Sequence, residues 1–176
     1  SIKGLKILSP NSTYYDYIFE TDKVNFNIDL KSYFFENLVI IKELTIKNPK
    51  FFLEVYEKKA NDQKSDNTSE EIFYEDNIGI AKKLTQNLPD KVWPKKIKDK
   101  NFLIIKCYIN NGIGYLKISN LSEQSIIPLS NFEFSKIGNH NNFQHYKDSL
   151  KVIFFDFFGR EPDLEKKKIL KKIYKL

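Results

Sequence analysis

Only a few side chains in this sequence are of the types that usually carry out catalysis. His140 and His145 are five residues apart, which does not place two metal ligands on one helical face, and no third ligand accompanies them. Cys107 stands alone in an apolar segment and is expected to be a buried core thiol. Asp16 and Glu20 could pair as two carboxylates, but solvated acids at a sheet edge are commoner. These residues predict no catalytic site, no metal site and no cofactor.

The sequence also lacks the short motifs that mark common active sites. It contains no G-x-S-x-G, no glycine-rich phosphate loop, no H-E-x-x-H and no pair of cysteines. A hydrolase or transferase would be expected to leave at least one such constellation behind. We therefore expect that the protein is not an enzyme.

The clearest candidate for an interaction is the basic end of the chain. Residues 166–176 hold six Lys and no acid, so 29 minus 6 leaves 23 basic residues against 23 acidic ones elsewhere. Because the rest of the chain is neutral, a broad basic face for nucleic acid is not predicted. At helical spacing the apolar residues of this segment fall on one face and the lysines on the other. Near an anionic membrane each lysine contributes on the order of 1 kcal/mol to binding. Either this segment lies on a membrane, or its apolar face packs on the protein and the lysines face water. The membrane-surface candidates are Lys167, Lys168, Lys171, Lys172 and Lys175.

Strands must supply most of the framework that positions these residues. Residues 39–46 and 51–56 alternate as strands do, and Asn48-Pro49 between them predicts a hairpin turn. Asn111-Gly112 predicts a second hairpin. The frame I-K-x-L-x-I-x-x-P occurs at 2–10 and at 41–49 and is echoed at 105–112, which indicates a sheet of similar rungs.

These patterns favour an α+β fold in a single domain, 1–176. We predict a bent, groove-like, mainly antiparallel sheet, a meander of about seven strands, followed by C-terminal amphipathic helices. The first C-terminal helix is apolar nearly all round towards its end, so it needs cover on both sides. The predicted parts are β-sheet at 1–58 and 101–138, a polar loop at 59–76, a short helix at 77–88 and C-terminal helices at 141–176.

The strand segments resemble the N-terminal module of AsmA-like envelope proteins. The resemblance covers most of residues 2–138 and identifies the chain with small members that carry an AsmA/TamB-type β-sheet module. It rests on GLKI at 4–7, VNFNIDL at 24–30, VIIKELTI at 39–46, PKFFLE at 49–54, the strands within 102–116 and PLSNFEFSKIG at 128–138.

The resemblance implies a place in the periplasm of a bacterium with two membranes. It also implies an inner-membrane anchor in a segment before Ser1, which fits a sequence that begins with Ser and contains no Met. Large relatives are thought to carry phospholipids between the membranes along an apolar groove. This chain has too few rungs to bridge a periplasm alone.

The leading hypothesis is therefore a non-enzymatic envelope protein that binds or transports lipid through an apolar β-groove and contributes to outer-membrane biogenesis. Its partners would be a phospholipid or other acyl lipid and the membrane surface. The alternative is an interaction or assembly module that packs a sheet edge or its Phe-rich helix against an envelope protein or a second copy. The groove candidates are Phe26, Ile28, Leu44, Ile46 and Leu53.

Overall fold

The computed structural model describes residues 1–9, 14–36, 38–59, 72–79, 101–139 and 144–174. The strands are β1 (Ile2–Leu8), β2 (Tyr17–Ile28), β3 (Leu38–Lys47), β4 (Lys50–Lys59), β5 (Ile72–Asp76), β6 (Asn101–Asn110), β7 (Ile113–Ile118), β8 (Ser125–Pro128), β9 (Phe132–Gly138) and β10 (Gln144–His145). The helices are α1 (Leu30–Phe35), α2 (Tyr146–Arg160) and α3 (Leu164–Tyr174).

The described strands form one ten-stranded sheet with the order β10-β9-β6-β3-β2-β4-β7-β8. Strand β1 pairs with β2, and β5 pairs with β4. Three pairs, β3–β6, β4–β7 and β9–β10, are parallel, and the others are antiparallel. The predicted α+β class is confirmed. Six of the nine pairs in the described sheet are antiparallel, so the sheet is mainly antiparallel but mixed. The predicted meander of about seven strands is wrong, because the described sheet has ten strands and the parallel partners β3–β6 and β4–β7 are far apart in the chain.

Strands β3 and β4 are two halves of one bent strand and do not pair with each other. Before the bend Val24 of β2 pairs with Ile46, and after it Glu20 pairs with Lys50, so β2 follows both halves without a shift in register. The hairpin predicted at 48–49 is therefore wrong.

Strands β6 and β7 pass through the same bend alongside β3 and β4. Lys47 pairs with Asn110 before the bend, and Lys50 pairs with Ile113 after it, in unbroken parallel register. Strands β9 and β8 continue the pattern on the far side of β6 and β7. The hairpin predicted at 111–112 is also wrong, and the repeats at 41–49 and 105–112 each contain the corner of a bent strand.

The corner depends on two asparagines in the left-handed backbone conformation. Asn48 and Asn111 have φ of 52° and 56°, which asparagine tolerates better than most residues. The ladder closes around them, because the Asn48 amide donates to the Asn110 carbonyl at 2.9 Å and the Ile113 amide donates to the Pro49 carbonyl at 2.9 Å. These two hydrogen bonds join the neighbouring strands on both sides of the corner.

The bend keeps one apolar face of the sheet turned towards a single core. In β3 the core-facing residues are even-numbered, such as Leu44 and Ile46, whereas in β4 they are odd-numbered, such as Leu53 and Val55. Because β2 keeps one register through the corner, no residue is inserted there, and the switch in the strand alternation accompanies the left-handed backbone of Asn48. Helices α2 and α3 then cover this face with Ile153, Phe157, Phe158, Ile169 and Leu170.

Several predicted segments differ from the structure at their ends. Residues 72–76, within the range predicted as a polar loop, form β5 along the edge of β4. Residues 144–145, predicted as helical, form the short strand β10. Residues 77–79 are helical, as predicted, and the rest of the helix predicted at 77–88 lies outside the described residues.

The thiol of Cys107 belongs to this core. The side chain is buried, and burial raises its pKa to about 11. Because the thiolate is the reactive form, we expect iodoacetamide to alkylate Cys107 at pH 8 roughly 100-fold more slowly in the folded protein than in concentrated urea. A mass-spectrometric time course measures both rates. Equal rates would contradict the buried position of this side chain.

Candidate functional site

The predicted groove residues lie on or beside the face that the helices cover. Leu53 is 1% exposed and belongs to the core, and Leu44 and Ile46 pack against that core. Phe26 pairs with Leu44 across β2 and β3 and is more exposed than Leu44. Ile28 lies just after a shift in the register of this strand pair. The structure thus brings Leu44, Ile46 and Leu53 to one core, with Leu53 fully buried and Leu44 and Ile46 partly buried.

The predicted membrane-surface lysines lie along α3. Lys168, Lys171 and Lys172 are exposed and Lys167 is partly exposed, whereas Lys175 lies outside the described residues. The apolar residues Ile169 and Leu170 point into the core, as their helical spacing predicts.

A pocket of about 300 Å³ lies between α2 and α3. Phe158 and Leu170 are buried and form its apolar floor, and the ring of Phe155, which is 55% exposed, forms a wall. Lys167 and Lys171 lie one turn apart on α3 and also line the pocket. Gly159 completes the lining from α2.

The floor of the pocket is fixed by aromatic packing. The Phe158 ring stacks on Tyr174 with ring centroids 4.8 Å apart and on Phe154 at 5.9 Å. Burial raises the pKa of the Tyr174 hydroxyl, and the nearby Asp76 carboxylate raises it further. These contacts hold the end of α3 against α2 from below.

A buried polar network anchors the turn between α2 and α3 to β8. Lys166 Nζ donates to Ser125 Oγ at 2.9 Å, and Ser125 Oγ donates to Glu161 Oε1 at 3.0 Å. The Asp163 amide also donates to Glu161 Oε1, at 2.9 Å. Asp163 in turn caps α3, because its Oδ1 accepts from the Glu165 amide at 2.8 Å.

This network was not expected from the sequence, where Lys166 reads as one more surface lysine. A serine hydroxyl beside an amine is also an arrangement that can activate a nucleophile. Here, however, Ser125, Glu161 and Lys166 are only 8%, 0% and 4% exposed, so a substrate could not reach the hydroxyl unless α3 moved. The network therefore orients the helix pair.

Asp156 makes a second connection between α2 and the sheet. Its carboxylate accepts from the Ser130 amide at 2.8 Å, the Ser130 hydroxyl at 2.9 Å and Arg160 Nε at 2.9 Å. Burial by itself would raise the pKa of Asp156, but these hydrogen bonds outweigh it and hold the pKa below its ordinary value. The charged form is thus the one that pins α2.

The described ranges show neither a metal site nor a membrane-spanning helix. His145 caps α2 by accepting from the Lys147 amide at 3.2 Å, and His140 lies outside those ranges. The described part of the chain contains no cluster of three or more His, Cys, Asp or Glu that could hold a metal ion. None of its helices is both long and apolar enough to cross a membrane.

Helix α1, which lies within the range predicted as β-sheet at 1–58, presents an exposed apolar surface. Phe34 and Phe35 are 68% and 83% exposed, although the helix itself is well fixed. Asp29 caps it through the Lys31 amide at 3.0 Å, and the buried Ser32 hydroxyl accepts from the Ile40 amide at 3.0 Å. Consecutive aromatic residues in so short a segment were the signal that could have revealed this surface.

Comparison with known proteins does not add a relative: no protein-family model, curated protein or solved structure matches this chain. The resemblance to AsmA-like proteins therefore stays a prediction. Function has to be argued from the surfaces of the chain itself.

Proposed function

We propose that this protein is a non-enzymatic, lipid-binding protein of the bacterial envelope that meets an anionic membrane surface with its helix layer. The observation that carries the proposal is the combination of charge and apolar area on α2 and α3. Leu150, Val152 and Phe155 of α2 are exposed, and Phe155 shares a pocket with two lysines of α3. Exposed apolar side chains beside lysines are typical of helices that lie in a membrane interface.

The covered sheet face modifies the original groove hypothesis. Because Leu53 lies beneath α2 and α3, an acyl chain could reach it only if the helices moved away, so the proposal places the first lipid contact on the helix layer. A periplasmic location, an N-terminal inner-membrane anchor and a part in lipid transport or outer-membrane biogenesis belong to the same proposal. They rest on the resemblance to AsmA-like proteins.

Vesicle co-sedimentation tests the membrane contact. We expect the protein to bind vesicles that contain phosphatidylglycerol and the variant Lys168→Gln/Lys172→Gln to bind about 30-fold more weakly, since each lysine contributes on the order of 1 kcal/mol. Lys3→Gln/Lys106→Gln removes the same charge from exposed positions on the sheet and serves as the control. Equal binding by the two variants, or equal binding to uncharged vesicles, would reject the helix layer as the contact surface.

One observation favours the alternative, an assembly module. All seven residues of β1 are exposed, including Ile2, Leu5 and Ile7, and in the described part of the chain only β2 pairs with it. An open strand edge can accept a strand from a partner or a second copy. Lipid-independent self-association in analytical ultracentrifugation would favour this function over the first.

A further inference from the structure

The pocket between α2 and α3 has an apolar floor, and two lysines contribute to its lining. Phe158 and Leu170 close it from below, and Lys167 and Lys171 lie on one face of α3 beside it. In the described part of the chain neither of these two ammonium groups forms an ion pair. Two like charges one helical turn apart repel each other, so an anion between them would relieve that repulsion.

Gly159, which also lines the pocket, is the second observation that supports a ligand there. It lies in α2, where glycine is a poorer helix former than alanine. A Cβ built on Gly159 would meet no atom of the described residues within 4 Å, so packing among them does not explain why the position lacks a side chain. Its backbone does not require glycine either, since no left-handed φ occurs there. The missing side chain does leave space in the pocket lining.

The size of the pocket limits what it can hold. Small-molecule sites in proteins usually measure roughly 300 to 1,000 Å³, and this pocket, at about 300 Å³, lies at the lower end. It therefore suits one acyl chain better than the two chains of a phospholipid. The exposed Phe155 ring extends the apolar wall outwards along the path such a chain would take.

We infer that the pocket is a binding site for a single-chain anionic amphiphile, with the chain on Phe158 and Leu170 and its carboxylate or phosphate on Lys167 and Lys171. This inference rests on the proposed lipid-binding function and narrows it to one ligand class and one site. The ligand needs both an anionic group and an apolar chain, because the pocket is lined by lysines and by apolar side chains.

Isothermal titration calorimetry with ligands below their micellar concentrations tests the site. We expect decanoate and decyl phosphate to bind one per chain, and decanol and inorganic phosphate to bind at least 10-fold more weakly. Gly159→Leu should fill the pocket and weaken decanoate binding at least 10-fold, while Gly159→Ala, which adds only one methyl group, should retain it. Lys167→Gln/Lys171→Gln should also weaken binding at least 10-fold, and Lys168→Gln/Lys172→Gln should leave it within twofold.

The outcomes separate this inference from the proposed function. If the wild-type chain binds anionic vesicles but not decanoate or decyl phosphate, the pocket assignment fails and the membrane contact stands. If decanoate binds and vesicles do not, the pocket stands and the surface proposal fails. Undiminished decanoate binding by Gly159→Leu, with its helical circular dichroism intact, would overturn the pocket as the site. Equal affinity for inorganic phosphate and decyl phosphate would overturn the acyl chain as part of the ligand.

Discussion

Replacing Gly114 with alanine is expected to lower the free energy of unfolding by about 3 kcal/mol, the upper part of the range for overpacking a core. Gly114 lies in β7 directly under the ring of Phe157, and an added Cβ would overlap that ring, with even its Cζ atom only 3.2 Å away. The ring cannot retreat easily, because Phe157 is buried and packs on Phe158 with centroids 5.5 Å apart. Urea unfolding followed by circular dichroism measures the loss.

The same substitution at Gly159 is the matched control, because there a methyl group meets no atom within 4 Å. Gly159→Ala should raise the free energy of unfolding by up to about 1 kcal/mol through helix propensity alone. The double variant Gly114→Ala/Phe157→Leu should lose less free energy of unfolding than the sum of the two single variants. The smaller leucine removes the overlap with the new methyl group, and the methyl group fills part of the space that the ring leaves. A Gly114→Ala protein within 0.5 kcal/mol of the wild type would mean that Phe157 does not lie over β7.

The longer strands and the two C-terminal helices could be predicted from the sequence, but the pairing of the strands could not. Strand alternation is a local property, and it correctly indicated strands on both sides of Asn48 and of Asn111. A left-handed asparagine, however, serves a hairpin turn and a bend within a strand equally well. The choice depends on which strands lie alongside, and here β2 and β6–β7 run past the corner in continuous register. That information is not present in any local window of sequence.

The candidate site shows the same division between local and long-range information. Helical spacing predicted which side of α3 is apolar, and Ile169 and Leu170 are indeed buried. It could not distinguish Lys166 from the lysines that follow, because Ser125 is 41 residues away in the chain. Likewise, Leu53 has the apolar character of a groove residue, but only the docking of α2 and α3 determines whether such a face is open or covered.

The pocket itself had almost no signal in the sequence. Phe155 and Phe158 read as part of an all-round apolar helix that needs cover on both sides, and the structure covers Phe158 but leaves Phe155 exposed. Glycine is a poor helix former, although α2 continues through Gly159 to Arg160. A glycine inside a helix with open space around it is therefore more informative once the structure is known than it is in the sequence.

Replacing Lys166 with methionine is expected to lower the free energy of unfolding by about 3 kcal/mol, the cost of leaving a buried charge without its partner. Glu161 is completely buried, and the ammonium group of Lys166 reaches its carboxylate through the Ser125 hydroxyl. Within the described ranges, the Glu161 Oε2 atom has no hydrogen-bond partner. Methionine keeps the length of the side chain, so the loss should come from charge rather than from a cavity. Chemical denaturation provides the measurement, and the exposed Lys168→Met should stay within about 0.5 kcal/mol of the wild type.

A double-mutant cycle then decides whether the two charges act together. If they do, Glu161→Gln/Lys166→Met should be clearly more stable than the sum of its single changes predicts, by on the order of 2 kcal/mol, because no isolated charge remains under the turn. Since the network fixes the point at which α3 leaves the turn, Lys166→Met should also weaken decanoate binding, and the double variant should recover part of it. Strictly additive losses in stability would show that Lys166 and Glu161 contribute independently, and that the position of α3 depends instead on its apolar contacts with α2 and the sheet.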